Sequence, residues 1–408
     1  MGQHGGEGRE TALRHVWAGV DIGKGHHYAV VIDPDGVRLL SRRVINDEAA
    51  LLELIGQVTG LADRVDWAVD VSTGGSALLL ALLVAHGQRV FYISGNQVNR
   101  AADGYRGEGR TDAKDAAIIA DQARMRRDLT PMRVDDELVV ELRMLVARCC
   151  DLAGDRVRLV NRLHDQLLAI SPALERVLDL TNRGPLVLLT RVQAPAAIRQ
   201  LGTSELAEWL RSQKVRSATE LATKAARAVN SQHTTLPGDG LAAELVADMA
   251  KGVMSLDEQL KHTDKLIEGR FRRHRCAEVL LSMPGIGVLL GAEFLAATGG
   301  DMTAFASADH LAGYAGRVPT PHDSGQISGN PHRPRRYHRG LQRALYTSAL
   351  VSIRCNSQSR TFYDRKRSEG KRHTQAVLAL ARRRVNVLWA LLRDQRCFET
   401  TPPEAVAA

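Results

Sequence analysis

Four aspartates have the types and spacing that could do chemistry. Asp21 closes an apolar run, Val16 to Ile22, and Asp70 stands near the end of another, Val65 to Val71. Asp112 and Asp115 lie three apart behind Thr111, which suits a helix N-cap, so both fall on one helical face. Carboxylates are hard oxygen donors. Four that meet at one edge of a sheet would suit two Mg²⁺ ions about 3.5 to 4 Å apart, with positions left for water and phosphate. Taken singly, each Asp reads better as a cap or a loop residue than as a metal ligand.

The elements needed to bring them together can be read from the chain. Val16 to Ile22, Tyr28 to Asp33 and Val37 to Val44 predict a three-strand meander turning at Asp33-Pro-Asp-Gly36. A helix over about 47–58, the strand Val65 to Val71, the apolar helix Ala77 to Ala85, the strand Arg89 to Ile93 and a short helix near Gln97 then alternate. That order predicts an α/β domain with a mixed sheet, and in such sheets chemistry collects at strand ends. The pattern of strand end, strand end and helical i, i+3 pair points to an RNase H-like, or RuvC-like, nuclease core over 15–130, behind a polar leader at 1–14. From Pro131 to about Ile170, Leu138, Leu142, Leu145, Cys149, Leu152, Leu159 and Leu163 space as a coiled-coil seam that Pro172 ends. A second long helix, Leu241 to Arg272, offers Leu245, Met249, Val253, Leu256, Leu260 and Ile267. The two predict a helical coiled-coil region over 131–272, pairing within the chain or between subunits. A mainly α-helical domain follows over 273–400, with a tail at 401–408. Its first segment, helix, Pro284-Gly-Ile-Gly287, helix, resembles a helix-hairpin-helix, whose glycines admit a phosphate; a plain helical hairpin turn is the alternative.

Charge divides along the same line. The 408 residues carry a formal net charge of +9, yet residues 271–408 hold 21 basic against 10 acidic side chains and residues 1–270 hold 34 against 36. A surplus confined to the last third is the footprint of a polyanion-binding domain. Arg317, Arg333, Arg335, Arg336, Arg339, Arg365, Lys366, Arg367, Lys371 and Arg372, interleaved with Tyr337, Phe362 and Tyr363, suit a groove that follows a nucleic-acid backbone. The longest apolar runs are too short for a membrane span, and no signal core is visible, which predicts a cytoplasmic protein of the bacterial cytoplasm or nucleoid. The five cysteines have no CxxC spacing, which argues against a zinc ribbon or a disulfide scaffold. His322, His332 and His338 suit phosphate contacts or exposed loops better than zinc ligation.

The residues Ala18-Gly-Val-Asp21-Ile-Gly-Lys24, Ala68-Val-Asp70 and Arg110-Thr-Asp112-Ala-Lys-Asp115-Ala116 resemble the DEDD RuvC-like domain of the insertion-sequence one-ten family of transposases. Leu281-Ser-Met-Pro-Gly-Ile-Gly287, Gly313-Tyr-Ala-Gly316, Pro319-Thr-Pro-His-Asp-Ser324-Gly325, Phe362-Tyr-Asp-Arg-Lys-Arg367 and the closing Arg-rich helix resemble that family's transposase domain. One departure is the second carboxylate, Glu in the family and Asp70 here. The resemblance implies a DNA recombinase that forms a covalent phosphoserine link, with Ser324 as the matching nucleophile. It also implies Mg²⁺ (or Mn²⁺) on Asp21, Asp70, Asp112 and Asp115, donor and target DNA as partners and a structured bridge RNA as guide; the two long helices add the expectation of a homo-oligomer, dimer or tetramer. A Ser-Gly turn is the plain reading of Ser324, and Ser328-Gly329 is its local competitor. Two other functions stay open on the residues: a RuvC-like junction endonuclease that hydrolyses with metal-bound water, and a non-catalytic coiled-coil scaffold.

Overall fold

The computed structural model describes residues 15–71, 74–105, 109, 111–129, 131–132, 137–234, 236–321, 324–325, 328–332 and 334–399. The leader, the tail, Arg110, His322 and Arg333 lie outside the described residues. The chain divides into two compact units, Met1–Val134 and Asp135–Ala408. Among the described residues no helix is long and apolar enough to cross a membrane.

In the first unit, β1 (Val16–Ile22), β2 (His26–Ile32) and β3 (Arg38–Ile45) form the expected antiparallel meander. After α1 (Glu48–Thr59), β4 (Val65–Val69) pairs parallel with β1; after α2 (Ala77–Ala85), β5 (Arg89–Tyr92) pairs parallel with β4. The order across the sheet is β3-β2-β1-β4-β5. Then come α3 (Gly95–Ala102) and α4 (Asp112–Met125). Period-two alternation sorts β1 and β4 between two layers. Val16, Ala18, Val20, Val65, Trp67 and Val69 are buried with Leu51, Leu54, Leu79 and Leu83 of α1 and α2, whereas Ala68 joins Ile118 and Ile119 of α4 on the other face. This mixed sheet followed by a mostly helical chain is consistent with the RuvC-like class.

The second unit is built on α5 (Glu137–Ile170) and α10 (Asp239–Phe271). Their contacts run antiparallel within the one chain: Glu141 meets Arg270, Cys149 meets Asp264, Arg156 meets Asp257, and Leu159 lies over Gly252. Of the seven expected seam positions on α5, Leu142, Leu152 and Leu163 are buried, whereas Leu138, Leu145, Cys149 and Leu159 are partly buried and Val139 and Val160 are buried beside them. On α10 the expectation is off by a position at one point: Leu245 is 45% exposed and Val246 takes the buried place. A heptad count drifts against a 3.6-residue helix, and the α10 face that packs is partly small, with Ala247 and Ala250. One end of the pair closes a core with α6 (Pro172–Val177), α7 (Arg183–Arg191), α8 (Pro195–Ser212) and α9 (Ala218–Val229), holding Leu163, Leu167, Val246 and Val253. The other end, through Leu142, Ile267 and Phe271, closes a second core with the C-terminal helices.

Those helices are α11 (Ala277–Ser282), α12 (Val288–Thr298), α13 (Ala308–Tyr314), α14 (Arg339–Cys355), α15 (Ser357–Ser368) and α16 (His373–Arg393), with a small hairpin of β6 (Thr320–Pro321) and β7 (Pro331–His332). The turn between α11 and α12 docks inward. Gly285 has φ +81° and lies so close to α14 that a Cβ would sit 2.5 Å from the Ser348 carbonyl oxygen. Buried Arg384 of α16 fastens the same turn, donating to the Pro284 carbonyl at 2.5 Å and to Ser348 Oγ at 2.7 Å. Burial lowers its guanidinium to about 10, so it stays charged at neutral pH.

Candidate catalytic and nucleic-acid sites

Alternation brings Asp21 and Asp70 together. Val20 is the register partner of Val69 in the parallel β1–β4 pair, so the two aspartates follow side by side at the C-terminal ends of neighbouring strands. Asp21 continues the Trp17, Gly19 series and Asp70 the Asp66, Ala68 series, and both series face α4. Gly19 lets α4 approach: a Cβ there would stand 2.2 Å from the Ala116 carbonyl oxygen and 2.3 Å from the Ala120 nitrogen. Ala116 follows Asp115, so this contact fixes the acidic first turn of α4 beside the strand end that carries Asp21. Thr111 caps that turn, its hydroxyl accepting from the Lys114 amide at 3.2 Å. The positive end of the helix dipole favours carboxylates there. Asp112 is exposed and Asp115 half-buried.

Asp70 is under strain of charge. Burial pushes its carboxyl above the usual range; the Ile22 amide, donating to Oδ1 at 3.3 Å, offsets part of this, and the negative charge of Asp115 adds to the rise. Asp66, four residues earlier on the same strand, shows the contrast. It lies 3.1 Å from His15 and is paired with Arg64 and Arg89 at 3.2 and 3.5 Å, a structural carboxylate neutralised by two guanidiniums. Among the described residues no group of three or more His, Cys, Asp or Glu side chains is close enough to hold a metal ion. The donor chemistry nonetheless fits a hard divalent cation: oxygen ligands on one face, with a like-charge interaction that a cation relieves.

In the second unit, β6 and β7 pair antiparallel, Thr320 with His332, and Ser324 lies exposed in the segment they bracket. Ser328 is exposed as well. The base of this hairpin forms one wall of a groove of about 770 Å³, closed by α14 and α16. His332 is exposed, but His338 is the N-cap of α14, its Nδ1 accepting from the Leu341 amide at 3.0 Å. Burial lowers its pKa and nearby Arg143 lowers it further, in keeping with a ring that must stay neutral to accept.

The basic side chains fall into two groups. Arg335, Arg336, Arg339, Arg365, Arg367, Lys371 and Arg372 are exposed. Arg365 and Lys366 lie over the Phe362 ring at 5.1 and 5.7 Å, and Arg383 of the Arg-rich helix α16 lies over it at 5.1 Å. Three cations on one ring, with Glu369 paired to two of them, leave a positive surface. Arg317 belongs to the other group: it is 9% exposed, donates to the Gln342 carbonyl and lies 5.9 Å from the Tyr346 ring centre. Sequence reasoning also passed over Gly19; the signal available was a glycine inside an otherwise β-branched and apolar strand.

An α/β unit with acidic strand ends, followed by a helical unit with a cationic surface, suits an enzyme that acts on a nucleic acid, and the comparisons with known proteins make it a transposase. A family model described as a DEDD-type transposase of the IS110 group matches residues 18–172, and one described as transposase IS116/IS110/IS902 family matches residues 277–364. The chain belongs to the IS110/IS116 family of transposases. It is 60% identical over 395 residues to the 42 kDa protein of insertion element IS900 of Mycobacterium paratuberculosis, covering 96% of this chain and 99% of that one. It is 51% identical to the 44.8 kDa protein of IS116 of Streptomyces clavuligerus, covering 96% and 98%. A pilin gene-inverting protein of Moraxella bovis is 34% identical over 129 residues, 31% of this chain and 39% of that one.

Proposed function

We propose that this transposase cuts and rejoins DNA through a covalent link to Ser324, with Asp21, Asp70, Asp112 and Asp115 holding divalent cations, Mg²⁺ or Mn²⁺ in its place, and a bridge RNA choosing donor and target. The observation that carries the reading is the common face of Asp21 and Asp70 beneath the acidic turn of α4, locked there by Gly19. A DEDD domain implies divalent-metal dependence, and bound cations would supply charge stabilisation at the scissile phosphate. Ser324 Oγ attacks phosphorus and loses its proton, one P–O bond forms and one breaks, and the leaving sugar oxygen takes up a proton. A phosphodiester is exchanged for a phosphodiester, so the strand can be religated without ATP. A serine hydroxyl is a weak nucleophile at its free pKa, so activation must come from its surroundings.

Arg333, Arg335, Arg336, Arg339, Arg365, Lys366, Arg367, Lys371 and Arg372 then serve as phosphate contacts, each neutralising about one charge. Arg317, bound to Gln342 and Tyr346, acts by holding the groove wall. In the helix-hairpin-helix-like turn, Gly285 is committed to packing, while Gly287 at the N-terminus of α12 has open space where a phosphate would approach. The working divisions are a RuvC-like domain at 15–130, a linker with coiled-coil packing at 131–272 that also supports a dimer or tetramer, and a transposase domain at 273–400.

The test is strand cleavage with Mg²⁺ on suicide DNA substrates, with the RNA encoded by the element, using the unaltered chain, Ser324→Ala and Asp112→Ala. A protein–DNA adduct is expected from the unaltered chain alone. An adduct that persists in Ser324→Ala removes the nucleophile assignment, and normal cleavage with no adduct anywhere favours a junction endonuclease.

A further inference from the structure

The groove at the base of the Ser324 hairpin has a composition that the strand-transfer chemistry leaves unexplained. Its floor is apolar and aromatic, from Val318, Pro319, Tyr346 and the 38%-exposed Leu378, and its rim carries Arg343 and Arg382. No carboxylate is among its described lining residues. Arg343 pairs with Glu293 at 2.8 Å and Arg382 with Asp309, whose side chain is 75% exposed. The Asp309 carboxylate is open to water, and such an exposed pair is weak and can exchange for a phosphate; Glu293 is only 18% exposed and stays with Arg343, whose own side chain is 54% exposed.

We propose that this groove seats one unstacked DNA nucleotide beside the phosphate that is cut, its base against Leu378, Pro319 and Tyr346 and its own phosphates on Arg343 and Arg382. Three observations select this occupant. A volume of about 770 Å³ lies in the range of pockets that enclose a small molecule, and holds a nucleotide but no stack of base pairs. An apolar floor gains nothing from a duplex, whose base faces are already stacked, but does gain from an exposed base face. A rim that presents Arg343 and Arg382 to the groove, with their partners Glu293 and Asp309 outside its described lining, fits a phosphodiester better than a basic peptide. The hairpin joins the two sites: Pro319, just before β6, and His332, in β7, line the groove at the base of the strands that bracket Ser324. Drawing a nucleotide out of the stack next to the break would hold the cut end and report its base identity, a selection by the protein additional to any made by base pairing. The placement beside the cut rests on Ser324 being the nucleophile; the seating of a base does not.

The experiment uses the full chain carrying Ser324→Ala, so that binding is read without cleavage. DNA duplexes spanning the element end and its flank, each with 5-iodouracil at one position near the cut, are irradiated with and without the element-encoded RNA, and the joined peptides are mapped. We expect one position to cross-link to the groove at Tyr346 or its neighbours. That cross-link should fall at least tenfold in Leu378→Asp and persist in Leu378→Met, with equal thermal midpoints for the two. Cross-links mapping outside the groove at every position, or an equal yield in Leu378→Asp, overturn the proposal. A groove cross-link in a chain whose DNA adduct proves independent of Ser324 leaves the seated base standing and removes the nucleophile. A Ser324 adduct with no groove cross-link does the reverse.

Discussion

At the scale of single residues, a carboxylate can be judged by what it costs the fold. Asp70 is raised by burial and by Asp115, so its charge is held at the expense of stability. Asp70→Asn is therefore expected to raise the denaturant midpoint while lowering Mg²⁺-dependent strand cleavage by about 10- to 100-fold, as loss of a metal-site group does. Parallel unfolding curves and cleavage rates check both halves. His338 makes a pH prediction. Its native pKa lies below the ordinary imidazole value of about 6.5, so the unfolded chain takes up a proton first as pH falls. The contribution of the cap is intact above about pH 6.5 and is lost as pH drops from there toward the lowered native value. His338→Asn, which keeps an accepting side chain, should flatten this part of the midpoint-against-pH curve; His338→Ala should cost about 1 kcal/mol at pH 7.5. The aspartates were legible because strand ends and a capped turn leave local marks. The cap formed by His338 and the burial of Arg317 were not, since both depend on partners that only the tertiary fold supplies.

At the scale of elements, hydrophobic pattern carried the reading far. Val16–Ile22 and Ala77–Ala85 fall where they were expected, because each is an apolar run bounded by polar or turn residues. The long helices were legible as well, but the choice between Leu245 and Val246 was not, since spacing alone does not say where a partner helix lies. Gly19 is where an element depends on one missing side chain. Gly19→Ala should lift α4 from β1, destabilise the first unit by about 1–3 kcal/mol and weaken cleavage beyond what that destabilisation explains, because Asp112 and Asp115 move with the helix. Chemical denaturation followed by cleavage at a temperature where the variant is folded separates the two effects.

At the scale of the whole molecule, the +9 net charge conceals a near-neutral part and a basic one. Replacing Arg365, Lys366 and Arg367 with Gln should make log affinity for duplex DNA less steep against log salt by about 0.9 for each phosphate that is no longer neutralised. Titrations from low to moderate salt read this directly, and an unchanged slope would remove these side chains from the interface. The α5–α10 pair has a consequence of another kind. Because its two ends complete separate cores, the rod acts as a ruler whose divisions are helical residues, each worth about 1.5 Å and 100°. Removing one residue from α5 between Leu152 and Val160 would turn Leu163 away from its core while Leu142 stays in place. Taking seven from each helix at matched heights would keep both facings and shorten the rod by ~10 Å. Insertions and deletions here should therefore be tolerated only as matched sets, and thermal scans of single and paired deletions would show it.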